Sequence, residues 1–325
     1  MNTFAMARPQ SIGQASELAR DRRWTLPVLK AGGMDLLDHM KEGLSEPDLL
    51  IDVRKLARQG ARMAGDRVEI GAGMTLGEIA RDPTIVGQAP VLAQSARSAA
   101  TPQVRNVASA AGNLLQRPRC WYYRGVEFHC LKKGGGKCYA LHGENKYHAI
   151  FGGDPCYIVH PSNLAPALVV LDGTVKIEGA GEREVALADL FHLPSEDLRT
   201  EHGVRTGEVV TSITFGTAPK SGFYAIKEKQ SFDWPLVFAC VALEMEGTRI
   251  GSARVCAGAV APVPWRLGNV EKALVGVDVG DEEALKKACA VAGEGAEPMT
   301  QNAYKVRLLG VAVRRAVRVA AEGGE

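Results

Sequence analysis

At 325 residues, with 46% apolar side chains, the chain is long enough for about two domains and a substantial core. Its 39 basic and 37 acidic residues are interspersed and leave a net charge of +2, which argues against nucleic acid or a membrane surface as partner and leaves partners to be argued from sites. No apolar run approaches the ~20 residues that span a bilayer, so no membrane insertion is expected. Met1 to Arg20 lacks the charged-then-apolar layout of a signal peptide, which places the chain in the cytoplasm, or in the periplasm if a signal-bearing partner carries it out.

The periodicity predicts a helix over Ile12 to Arg23 and then a short apolar strand, Thr25 to Lys30, which runs into Ala31-Gly32-Gly33-Met34-Asp35 and a helical Leu36 to Lys41. At such a strand–glycine–helix junction a phosphate can approach backbone N–H groups. Leu49 to Val53 and Arg67 to Gly71 read as strands, and Thr75 caps a turn entering a helix within Gly73 to Ala80. This alternation points to α/β organisation. A small-residue helix, Val91 to Ala100, leads into Thr101 to Asn106 and Val107 to Asn113. Small side chains there either let the backbone lie against a flat ligand or pack helix tightly against turn.

Four cysteines, Cys120, Cys130, Cys138 and Cys156, fall within 37 positions, separated by 9, 7 and 17 residues. Without a secretory context such a group reads as metal ligands rather than disulfides. Thiolates suit an iron–sulfur cluster or zinc, and no C-x-x-C pair of the zinc-ribbon kind is present. Glycines 134–136 let the backbone bend around an inorganic core; Lys132, Lys133 and Lys137 would offset its negative charge, and Trp121, Tyr122 and Tyr123 would shield it from water. His129, His142, His148 and His160 read as neighbours of this centre or surface groups, not ligands.

Further on, Leu164 to Leu171 is predicted helical, Gly173 to Glu178 a hairpin strand and Glu208 to Phe215 the last strand before a linker, Ala218 to Gly222. Beyond it Trp234 to Glu246 and Arg249 to Val260 alternate as adjacent strands, while Val270 to Leu274, Asp281 to Ala292 and Asn302 to Ala321 carry helical periodicity. Strands followed by helices suggest a small α+β domain. Cys240, Cys256 and Cys289, in small apolar contexts, are assigned to the core.

Three motifs in order, Ala31-Gly32-Gly33-Met34-Asp35, Gln103-Val104-Arg105-Asn106 with Ser109-Ala110-Ala111-Gly112-Asn113, and Gly258 to Arg266, resemble those of the FAD-binding subunit of the molybdenum hydroxylase (xanthine dehydrogenase) family. The resemblance implies an α+β fold: a two-subdomain FAD-binding domain of the vanillyl-alcohol-oxidase type over residues 1–217, and a C-terminal domain of the CO dehydrogenase flavoprotein type over 222–325. It implies FAD contacts from Lys30, Ala31, Gly32, Gly33, Met34, Asp35, Leu36, Thr101, Arg105, Asn106, Ser109, Gly112, Asn113, Asn163 and Leu164. Near the isoalloxazine the family has a Lys in a Tyr-x-Lys-like strand, a place that falls here to Ala225 or Lys227, and Lys227 is assigned to it. Met34, Ala111 and Asn163 depart from the family's usual Thr, Gly and Asp.

The cysteine segment, about residues 117–157, resembles an insertion found in two branches of the family, periplasmic aldehyde oxidoreductase and 4-hydroxybenzoyl-CoA reductase, which implies a [4Fe–4S] cluster on Cys120, Cys130, Cys138 and Cys156. Arg119 to Arg124 and Cys156 to Ser162 are worded most like the aldehyde branch. The implied role is electron transfer without a catalytic residue of its own: a molybdopterin-binding large subunit would oxidise an aldehyde, a [2Fe–2S] small subunit would relay electrons, and FAD here would pass them to an external acceptor. The alternatives are the β subunit of a 4-hydroxybenzoyl-CoA reductase-like enzyme and a zinc-stapled nucleotide-binding scaffold.

Overall fold

Sheet topology divides the protein, seen here as a computed structural model and described over residues 2–230 and 232–323. The expected outer domain limits, residues 1 and 325, lie outside the described residues. β1 (Ala5–Ala7), β2 (Pro27–Lys30) and β3 (Leu49–Asp52) form a parallel sheet in the order β1-β3-β2. Parallel strands need a crossover. The helix Ile12–Arg20 supplies the first, capped by the Ser11 hydroxyl accepting from Gln14 N, and its Ala15 and Ala19 bury against Leu49 and Ile51.

β4 (Arg62–Ala64), β5 (Arg67–Gly71), β6 (Thr174–Glu178), β7 (Glu182–Ala186) and β8 (Val209–Gly216) build a second sheet, ordered β4-β5-β8-β6-β7 and antiparallel throughout. The alternation read as α/β therefore holds only for the first sheet. At Gly65 the chain turns back on itself with φ +66°, so β4 and β5 pair as a hairpin and the whole becomes α+β, as the resemblance implied. Val68 and Ile70 of β5, Val175 and Ile177 of β6 and Ile213 and Phe215 of β8 point to one core, shared with the helices Pro90–Ser98 and Leu164–Val170. The long excursion between β5 and β6 carries the small-residue helices and the four cysteines.

The last sheet runs β12-β11-β10-β9, antiparallel, from β9 (Ser221–Lys227), β10 (Pro235–Glu246), β11 (Arg249–Gly258) and β12 (Trp265–Arg266). Along β10, Phe238, Cys240 and Ala242 face the core of the second sheet, while Val237, Ala239, Val241 and Leu243 face a separate core under the helix Tyr304–Glu322. Both faces are covered, which is why this strand reads as nearly continuous apolar sequence. Cys240 stands opposite Cys256 in register and Cys289 lies in the second core; all three are buried free thiols, as expected. No described helix is long and apolar enough to cross a membrane.

Candidate functional site

A cleft of about 1220 Å³ opens between the parallel sheet, the small-residue helices and the start of the cysteine segment. One wall is the turn after β2. Gly33 takes φ +78°, and Gly32 lies so close to the second small-residue segment that a Cβ would overlap Val107 O and stand 2.9 Å from Val107 C. The two motifs are thus packed backbone to backbone, which explains the small side chains of both. Thr101 and Ser109 each cap a short helix, their hydroxyls accepting from Val104 N at 3.3 Å and Gly112 N at 3.1 Å. Each hydroxyl retains its own hydrogen for donation into the cleft.

The far end is a buried polar network. Asn113 Oδ1 accepts from Ser162 Oγ at 2.6 Å and from Leu164 N at 3.2 Å, and Gln116 Nε2 donates to Asn113 O at 2.9 Å. Beside it the Asn163 amide lines the cleft, and its buried Nδ2 has no protein partner. A buried donor without an acceptor is costly unless a ligand supplies one. Lys30, also in the cleft, stands 3.8 Å from Asp52, and burial lowers its pKa. His39, buried in the cleft lining, is held neutral by that burial, its pKa lowered to about 4.

Of the residues expected at FAD, the cleft gathers Lys30, Ala31, Gly32, Gly33, Met34, Asp35, Leu36, Thr101, Ser109, Gly112, Asn113 and Asn163. Four lie elsewhere. Leu164 is wholly buried in the core, and Asn106 does not line the cleft. Arg105 donates to Ala99 O at 2.7 Å and Ala100 O at 2.8 Å, and Lys227 Nζ to Ser98 O at 3.0 Å; both line a neighbouring hollow of about 730 Å³ that shares Ser98, Ala100 and Phe232 with the cleft. Asp35 lines the cleft with its carboxylate already engaged: Oδ2 accepts from Arg117 N at 2.8 Å, and Oδ1 takes Arg124 Nη2 at 2.8 Å and Arg119 Nη2 at 3.0 Å. The sequence reading missed Arg117, Arg119 and Trp234 as lining residues. Arg119 and Arg124 carry a family resemblance in sequence, but nothing local there pairs them with Asp35.

The four cysteines bracket short turns. Cys120 precedes the helix Trp121–Arg124, and Cys130 and Cys138 precede 3₁₀ turns at Leu131–Lys133 and Tyr139–Leu141. Cys130 and Cys156 are buried, Cys120 and Cys138 partly so. Burial pushes the Cys120 thiol up to about 11 and that of Cys156 to about 12. Cys138 and Cys130 add to the rise at Cys120, and Cys138 and Cys120 to that at Cys156, so these pairs of thiols lie within electrostatic reach. No three His, Cys, Asp or Glu side chains among the described residues are grouped as ligands of a single ion. Lys132 exerts a lowering influence on Cys156, whereas Lys133 Nζ donates to Gly125 O and Lys137 lies 4.7 Å over the Tyr139 ring. Trp121, Tyr122, Phe128, Tyr139 and Tyr147 form an aromatic cluster around His148, whose Nε2 stands 3.3 Å from Cys120 Sγ. His160 is deeply buried against Phe191, so of the four histidines it is a core group.

Fold and cleft together define a chain built to hold a dinucleotide cofactor against glycine-rich backbone. Residues 2–217 match the family described as the FAD binding domain in molybdopterin dehydrogenase, and residues 222–320 the CO dehydrogenase flavoprotein C-terminal domain. The chain is 31% identical over 296 residues to the aldehyde oxidoreductase FAD-binding subunit PaoB of Escherichia coli (strain K12), covering 86% of each chain. It is 26% identical to the carbon monoxide dehydrogenase medium chain of Hydrogenophaga pseudoflava, over 98% of this chain and 96% of that one. The solved quinoline 2-oxidoreductase of Pseudomonas putida 86 shares the fold, with a TM-score of 0.76 at 22% identity over 99% of this chain and 98% of that one. The protein belongs to the FAD-binding subunits of the molybdenum hydroxylase family, and FAD is the cofactor of its first domain.

Proposed function

We propose that this chain is the FAD- and [4Fe–4S]-bearing electron-transfer subunit of a heteromeric molybdenum hydroxylase that oxidises aldehydes. A molybdopterin-binding large subunit and a [2Fe–2S] small subunit would be its partners, and an external acceptor its electron sink. The reading divides the chain into an FAD-binding domain over 1–217 and a C-terminal domain over 222–325. The observation that supports it is that the segment bearing Cys120 supplies Arg117, Arg119 and Tyr123 to the wall of the flavin cleft. The relative named as an aldehyde oxidoreductase subunit supports the substrate class.

The residues fit both groups. The Gly32–Gly33 turn, the Thr101 and Ser109 hydroxyls and the unpartnered Asn163 amide would hold the flavin nucleotide. Cys120, Cys130, Cys138 and Cys156 offer four soft donors, a full set for a cluster. Bound FAD accepts electrons one or two at a time and so joins one-electron clusters to an acceptor. The protein's part is to position and to insulate: Tyr123 is buried at the cleft wall, Tyr122 is buried in the aromatic cluster, and His148 turns Nε2 toward Cys120. Hydrogen bonds to cluster sulfur and burial are what tune such a centre.

The test is anaerobic addition of an aromatic aldehyde to the assembled heteromer. Flavin absorbance bleaches if this chain accepts electrons from substrate oxidation; flavin that stays oxidised while the partner clusters are reduced refutes the role.

A further inference from the structure

Two chains of ion pairs run from the cysteine segment into the flavin cleft. In the first, Arg119 and Arg124 flank Cys120 and both reach Asp35, the acidic residue of the glycine turn. Arg124 also holds Asp38 at 2.8 Å and Glu42 at 3.2 Å, and its Nε donates to Pro118 O at 2.9 Å. In the second, Lys132, between Cys130 and Cys138, donates to Glu201 at 2.8 Å, and Arg117 of the cleft wall stands 2.8 Å from the other oxygen of Glu201. The Lys132 and Glu201 side chains are only 1% and 3% exposed, so neither charge can leave the other cheaply.

We infer that these chains make FAD binding and cluster assembly mutually dependent, with Asp35 and Arg124 as the point of exchange. The inference rests on the two-cofactor reading above. The flavin pyrophosphate is an anion, and Asp35 is a carboxylate in the cleft that receives it. Arg119 and Arg124 neutralise that carboxylate and come from the turn that ligation of Cys120 fixes. With the cysteines unligated, the segment loses its fixed point, the arginines disengage, and Asp35 presents bare negative charge to an anionic ligand in the cleft. The sign is therefore positive: cluster favours flavin. By linkage, flavin favours cluster by the same factor.

The experiment measures FAD affinity on the full chain by flavin fluorescence quenching, iron-loaded and after anaerobic removal of iron with a chelator. Removal is expected to weaken binding on the order of tenfold, within the roughly 5- to 150-fold range of couplings between sites. Arg124→Met, with its iron in place, binds FAD about as weakly as iron-free wild type and responds to chelation by less than roughly twofold, and Asp35→Asn in that background recovers affinity, the non-additivity of residues sharing one interaction. The wild-type arm needs no variant to fold. A chain that never takes up iron refutes the cluster and the coupling with it, whereas an iron-loaded chain whose FAD affinity ignores chelation refutes the coupling alone.

Discussion

Gly32→Ala tests whether the flavin cleft is set by backbone packing of its two motifs. The added methyl would overlap Val107 O, stand 2.9 Å from Val107 C and lie 3.2 Å from Ala108 Cα. These are main-chain atoms, so no side-chain rotation relieves the overlap. Their segment is pinned as well: Ala108 O accepts from Leu76 N at 2.9 Å, and Ala110 N donates to Met74 O at 2.8 Å. The turn and the segment must part, at the cost of about 1–3 kcal/mol usual for overpacking a tight site. Because the contact forms a wall of the cleft, that cost falls on flavin affinity. At about 1.4 kcal/mol per tenfold, FAD binding weakens about 5- to 150-fold. Fluorescence titration against wild type reads this directly. Gly87→Ala is the control, since its Cβ would meet nothing within 4 Å. A Gly32→Ala chain that binds FAD like wild type, with an unchanged melting temperature, refutes the packing argument.

Burial holds His39 near a pKa of about 4 and His160 near about 3, against an ordinary 6.5. The unfolded chain therefore protonates first as pH falls, so their contribution is complete above the ordinary value and is lost through the window between it and the folded values. Each contributes a slope of up to about 1.4 kcal/mol per pH unit, and His160→Leu should flatten the fall in urea midpoint measured between about pH 6.5 and 5. Glu201→Gln leaves the buried Lys132 ammonium without its counter-charge and should cost about 3–5 kcal/mol in denaturant melts, with Lys132→Met/Glu201→Gln losing less than the single variant. Cys138→Ser, assayed with FAD saturating, should slow flavin reoxidation by the external acceptor if the centre relays electrons. Unchanged turnover would make the centre a structural staple.

Local signals carried most of the fold. The helix Leu164–Val170 and the strand β10 were legible as apolar runs, and the long C-terminal helix as an apolar pattern of helical period. The antiparallel second sheet was not, because β5, which ends at Gly71, pairs with β8, which begins only at Val209, and pairing at that separation leaves no local trace. The site divides the same way. Gly32 and Gly33 announce a close backbone approach in one dimension, as the clustered cysteines announce ligands. Asp35, in contrast, looked like a flavin contact until its arginine partners, 84 to 89 positions away, were in place. Lys305 illustrates the same limit: an ordinary helix residue in sequence, it is 1% exposed and donates to the carbonyls of Tyr147, His148 and Ala259 at 2.9–3.0 Å, fastening the C-terminal helix beneath the cysteine segment.

The central claim, a flavin and an iron–sulfur cluster carried side by side by one chain, is tested most directly by cofactor content. Protein purified without air and without added metal should contain about one FAD and about four irons with matching acid-labile sulfide per chain. Stoichiometric zinc with little iron would contradict the account, leaving the four cysteines a structural site and the cleft a flavin pocket without a neighbouring redox centre.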